Sequence, residues 1–147
     1  QKPKGVVDSY RALKDLDVHF VTSGKREAKI HALNFDSDYK TYLTLLKSSS
    51  VVITMSKFKE GWCMTAHEAM LLKTPVVGSG MGGMKELLKG GKQIICTDFK
   101  ELKNKVEYLL NNSEERKKIG EMGYNYAKNF TIDGFKKEWL DLINKIL

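Results

Sequence analysis

Two short β-branched runs, Val51–Met55 and Val76–Val77, are separated by about twenty residues that hold one helical pattern and no hairpin signal. Parallel strands cannot be joined by a tight turn; they need a crossover of a dozen or more residues, usually carrying a helix. The spacing therefore predicts a strand–helix–strand unit. The loop Ser56–Gly61 leaves the carboxyl end of the first strand, which in an open α/β sheet is the edge where ligands bind.

The rest of the chain repeats the alternation. Lys2-Pro3-Lys4-Gly5 feeds a helix from about Val6 to Leu13, with Val6, Tyr10 and Leu13 on one face. Asp17–Gly24 reads as a strand that is apolar at Val18, Phe20 and Val21, and Ile30–Leu33 as a second, short one. A helix carrying Tyr39, Tyr42, Leu43, Leu45 and Leu46 runs to about Lys47. Asp36-Ser37-Asp38 stands before it as candidate N-caps. Lys92–Ile95 reads as a strand, Asp98-Phe-Lys-Glu101 opens a helix to about Leu110, and Ser113 opens another to about Asn129. Thr131-Ile132-Asp133 starts a last helix, whose stripe of Phe135, Trp139, Leu142, Ile143 and Ile146 is read as core packing. Strands alternating with helices predict an α/β chain with a doubly wound, Rossmann-like parallel sheet. At 147 residues it forms one domain, residues 1–147, with enough core to need neither disulfide nor metal.

Composition excludes some functions. The net charge of +7 comes mostly from Lys, since Arg occurs only at 11, 26 and 116. No groove-like cluster of Arg and aromatics accompanies it, so nucleic acid is not the expected partner. Cys63 and Cys96 form no disulfide framework, and reduced thiols are expected. With no bilayer-spanning run and no signal-like segment, a cytoplasmic location is expected, and a peripheral membrane contact stays open. The opening QKPKG, without Met and directly ahead of a helix, reads as part of something longer.

The stretch Glu60–Glu86 carries the chemistry. Glu60-Gly61-Trp62-Cys63-Met64 is followed by Glu68-Ala69-Met70, with seven residues between the two carboxylates; then come Pro75-Val76-Val77, Gly82-Gly83 and Glu86. A pair of Glu at this spacing says little, but the ordered string is specific. It resembles the E-x7-E region of the retaining nucleotide-sugar glycosyltransferases of group 1 (GT4), and Lys4-Gly5 resembles the Lys-Gly that follows the first strand of their donor domain. Cys63 is a departure, since the family usually has Gly there.

The resemblance implies one half of a GT-B fold, the C-terminal donor-binding domain, with its first strand ahead of residue 1. It further implies a UDP-, GDP- or ADP-sugar as donor, no cofactor, no metal, and retaining transfer of a hexose to an acceptor hydroxyl. The acceptor site would belong to an N-terminal domain of the same protein, towards which the last helix, about 132–147, crosses. Glu60 and Lys4 take the catalytic roles, Glu60 against the donor sugar and Lys4 on the diphosphate. Gly61, Trp62, Cys63, Met64, Glu68, Gly82 and Gly83 line the donor site, with Glu68 on the ribose diol. The physical reading agrees for the diphosphate, which seeks cations and the positive end of a helix. Asp36-Ser37-Asp38 matches the metal-binding D-x-D of a different glycosyltransferase fold, but its place before a helix favours caps. Two carboxylates could also serve a hydrolase; both lie on the side of the phosphate site, which suits a diphosphate leaving group. A non-catalytic nucleotide-sugar-binding module and a related nucleotide-sugar epimerase are the alternatives.

Overall fold

Val76 and Val77 are fully buried neighbours that point into different clusters, the former with Ala66, Ala69, Met70 and Leu87, the latter with Leu13, Met55, Leu102 and Leu109. Successive strand residues face opposite sides of a sheet, so the strand β4 (Val76–Gly78) is covered on both faces. It pairs in parallel with β3 (Val52–Thr54) on one side and with β5 (Ile94–Ile95) on the other. The predicted crossover is present: β3 runs through α3 (Met64–Leu71) into β4.

The computed structural model describes residues 3–146. Ahead of this unit lie α1 (Val6–Leu13), β1 (Val21–Ser23), β2 (Leu33–Phe35) and α2 (Tyr39–Ser48); after it come α4 (Met84–Gly90), α5 (Phe99–Asn111), α6 (Ser113–Ala127) and α7 (Ile132–Ile146). Helices α2, α3 and α4 contribute to one cluster, α1 and α5 to the other, and α6 reaches both through Ala127 and Ile119. This is the expected two-faced parallel α/β arrangement. Among the described residues it is carried by two groups of strands, β1–β2 and β3–β4–β5, all parallel.

Three local expectations are corrected. The first strand is confined to Val21–Ser23, because its partner offers only the register Val21↔Leu33 to Ser23↔Phe35. The second lies at Leu33–Phe35 rather than Ile30–Leu33, since Ile30 is held in a turn in which its carbonyl accepts from Ala32 N and Arg26 Nη2. The third correction concerns α7. Ile132, Phe135, Trp139, Leu142, Ile143 and Ile146 are exposed and none of its described residues is buried. Periodicity tells which side chains share a face; it does not supply the surface that covers them.

Two of the caps behave as read, whereas Ser113 is the first helical residue of α6 and its cap position, Asn112, makes no side-chain cap bond. Asp38 accepts from Thr41 N at 2.8 Å and starts α2, and Asp98 accepts from Lys100 N at 2.9 Å and starts α5. A buried Gln93 ties the far edge together: its Oε1 accepts from Val76 N at 2.9 Å and its Nε2 donates to Ile119 O at 3.0 Å. No described helix is long and apolar enough to cross a membrane.

Candidate donor site at the strand ends

The carboxyl ends of β3 and β4 open into two loops that are bonded to each other. Glu60 forms an isolated parallel bridge with Gly82; Gly83 N donates to Glu60 O at 2.8 Å and Glu60 N to Met81 O at 3.2 Å. The approach needs glycine. A Cβ at Gly82, where φ is +69°, would stand 2.3 Å from Glu60 O, and one at Gly83 would stand 1.7 Å from Gly61 O. The Gly82-Gly83 pair thus fixes the backbone of Glu60-Gly61 rather than only forming a turn.

On this floor the Glu60 carboxylate is nearly enclosed, with 10% of its side chain exposed. Lys4 Nζ reaches it at 2.6 Å and Ser56 Oγ donates to the same oxygen. Burial alone pushes the Glu60 carboxyl up, but the hydrogen bonds from Lys4 and Ser56 and the Lys4 charge outweigh it and hold the group below its ordinary value. Lys4 is brought there by the backbone: Pro3 O accepts from Lys57 N at 2.7 Å, and Gly5 turns the chain at φ +68° into α1. A contact across 56 positions thereby joins the start of the chain to the loop after β3. Lys4 keeps 55% of its side chain exposed and also lies 5.0 Å over the Phe58 ring. Its ammonium has three donors and, among the described residues, meets one carboxylate oxygen.

Helix α3 begins beside this pair. Its cap residue Cys63 makes no side-chain cap bond, and the exposed Met64 is the first helical residue. Burial pushes the Cys63 thiol up, which disfavours a thiolate there. Glu68 follows on the next turn and faces α2. Tyr39 Oη donates to its Oε1 at 2.9 Å and Tyr42 Oη to its Oε2 at 2.8 Å.

Trp62 stands apart from the other residues assigned to the donor. Its indole N–H donates to His67 Nδ1 at 3.2 Å and its ring packs on Phe130 at 4.9 Å, at the junction of α3 with the end of α6. With Nδ1 accepting, His67 Nε2 donates to Ala127 O at 3.0 Å. His67 is therefore a packed residue of the motif helix. The structure brings Lys4, Glu60, Gly61, Gly82 and Gly83 into one cluster, sets Glu68 and Met64 on the helix above it, and turns Trp62 and His67 to the side of that helix that meets the end of α6. Sequence reasoning missed Ser56, Tyr39 and Tyr42 as partners of the two carboxylates. Tyr39 and Tyr42, three apart on one helix, were visible only as apolar residues; their hydroxyls were the overlooked signal.

Parallel strands whose carboxyl-end loops carry an enclosed Glu–Lys pair beside a helix start define an α/β domain with a candidate ligand site at its strand ends. Residues 4–126 match the family described as glycosyl transferases group 1, and the chain belongs to that family. It is 33% identical over 102 residues to a trehalose synthase of Pyrococcus horikoshii, covering 68% of this chain and 24% of that protein. It is 28% identical to an uncharacterized glycosyltransferase of Methanocaldococcus jannaschii, covering 95% of this chain and 45% of the relative. In fold it is similar to Anabaena HepE, whose crystal structure is a complex with UDP-glucose: the TM-score is 0.81 at 19% identity, over 99% of this chain and 46% of that one. The chain thus spans less than half the length of each of these proteins.

Proposed function

We propose that this chain is the donor-binding domain of a retaining hexosyltransferase and holds a nucleoside diphosphate sugar at the carboxyl ends of β3 and β4. The observation that carries the reading is the Lys4–Glu60–Gly82-Gly83 cluster beside the start of α3. In this reading the diphosphate lies against the N–H groups at the start of α3, close to Gly61, and takes one of the spare donors of Lys4. Glu60 faces the donor sugar. Because its carboxylate is kept ionised, it accepts hydrogen bonds from sugar hydroxyls and stabilises positive charge as the glycosidic bond breaks. Glu68 takes the ribose diol. The leaving diphosphate is neutralised by Lys4 and the helix end, so no metal enters the scheme. The UDP-glucose held by the HepE structure supports a nucleotide sugar as the ligand class.

The acceptor is assigned to a preceding domain of the same protein, and the uncovered apolar stripe of α7 is the surface that this domain would bury. Transfer needs the acceptor hydroxyl placed over the anomeric carbon with water kept out. The 147 residues alone should therefore give at most slow donor hydrolysis. The free, buried Cys63 and Cys96 agree with the reducing cytoplasm as its location.

Calorimetric titration with UDP, GDP and ADP, each with and without EDTA, tests the donor site. Binding that persists with chelator is expected, and binding that vanishes removes the metal-free scheme. In the protein with its preceding domain, Glu60→Gln should lower kcat far more than donor affinity. Unchanged turnover, or a product of inverted anomeric configuration, overturns the assignment of Glu60.

A further inference from the structure

Glu68 stands on α3, yet both of its carboxylate oxygens are engaged by a different helix. Tyr42 comes from the second turn of α2, is half-buried, and packs against the cluster built on Leu46, Ala66 and Ala69. Its hydroxyl donates to Glu68 Oε2 at 2.8 Å and lies 3.2 Å from Thr65 Oγ1. Tyr39 is the first residue of the same helix, next to the Asp38 cap, and is 63% exposed. Its ring is stacked on that of Tyr42, at 6.0 Å and 30°, and its hydroxyl donates to Oε1 at 2.9 Å.

The two bonds differ by only 0.1 Å in length, 2.8 against 2.9 Å, but are unequal in permanence. Tyr42 is fixed by core packing on its ring and by a neighbouring hydroxyl on its oxygen. Burial first, then the negative Glu68, push its phenol up to about 12, so it remains a donor throughout the neutral range. Tyr39 is held by one hydrogen bond and one ring face, and an exposed side chain changes rotamer in nanoseconds. A glutamate otherwise has the rotamer freedom of a long side chain, and a group meant to meet two vicinal hydroxyls loses affinity for every rotamer that points elsewhere. A carboxylate offers about four acceptor sites, so the Tyr42 bond leaves room for a diol.

We propose that the two tyrosines of α2 divide the Glu68 carboxylate: Tyr42 is the positioning residue that fixes it for a ribose diol, and Tyr39 is a displaceable cover that yields Oε1 to a ribose hydroxyl. The inference rests on the assignment of Glu68 to the ribose made above. It adds that selectivity for ribose over deoxyribose depends on a residue outside the Glu60–Glu86 stretch.

The test measures binding of UDP, GDP and ADP against their 2′-deoxy forms, taking the best-bound pair forward. Wild type should prefer the ribonucleotide by about tenfold or more, the worth of a hydrogen bond to a charged group. Glu68→Gln should erase most of that ratio. No binding of any pair, no preference in wild type, or a ratio that survives Glu68→Gln overturns the ribose assignment itself. If those controls hold, the tyrosines are judged separately. Tyr42→Phe should keep the ring, the fold and the melting temperature to within a few degrees, yet reduce the ratio to about threefold or less by freeing the carboxylate. Tyr39→Phe should keep the ratio and bind the ribonucleotide more tightly. A full ratio in Tyr42→Phe, or equal weakening of both nucleotides, overturns the positioning role. Failure of Tyr39→Phe to tighten binding overturns the cover.

Discussion

Helices α3 and α7 both carry apolar side chains and lie on opposite sides of the relation between pattern and burial. Helix α3, MTAHEAML, shows no clean stripe, yet Ala66, His67, Ala69 and Met70 are buried because the sheet, α2 and α6 enclose it from several directions. Helix α7, IDGFKKEWLDLINKI, carries a regular stripe and buries none of its described residues. A helix surrounded by neighbours needs small and apolar residues around most of its girth; one with a single partner needs a stripe, and keeps it whether or not that partner is at hand. The regular pattern here stands as an uncovered apolar face, whereas the irregular one marks the centre of the domain.

The largest break in this contrast should come from Met70→Ala. Met70 is fully buried in the cluster above β4, and truncation should cost about 2–5 kcal/mol in denaturant unfolding. A loss below about 1 kcal/mol would mean that α3 is not the packed centre described. Next, His67→Ala should cost about 1–3 kcal/mol, since it strips partners from the Trp62 indole N–H and the Ala127 carbonyl. Double-mutant analysis with Trp62→Phe should show the two losses to be strongly non-additive.

A smaller effect, readable by its sign, belongs to the entrance of α3. The Glu60 carboxyl is held below its ordinary value near 4.5, so its contribution to stability is present above that pH and disappears as pH falls through the native-state value. Wild type should exceed Glu60→Gln in stability at pH 7, and the gap should close on acidification below about pH 4. A gap that is the same at pH 3 and pH 7 would show that the ion pair with Lys4 is not its source. The smallest change is expected in α7. Trp139→Ala, at a half-exposed position touching Phe135, should shift stability of this chain by no more than about 0.5 kcal/mol. If the proposed preceding domain packs on this stripe, the same change in a protein carrying that domain should loosen the contact, and a large loss in the 147-residue chain would place α7 in its own core.

What the sequence could reveal follows the same division. The strand–helix–strand unit was legible because β-branched runs and the length between them are local properties, and the caps Asp38 and Asp98 were legible for the same reason. The Lys4–Glu60 contact spans 56 positions, and only family resemblance put the two in one site. The tyrosine bonds to Glu68 and the His67 bond to Ala127 O depend on how helices pack, so no spacing announced them. The exposure of α7 was misread because a stripe looks alike whether its cover belongs to the same domain or to another.

The amide of Gly83 provides a natural gauge of this site. Its proton sits in the bond to Glu60 O, the shorter of the two backbone bonds that fasten the strand-end loops. Exchange of that proton with solvent requires the loops to part, so its rate counts openings of the floor itself and not motions of the side chains above it. A ligand spanning both loops would slow that one proton while leaving amides of α5 unchanged, giving a residue-resolved record of occupancy that needs no turnover and no label on the sugar.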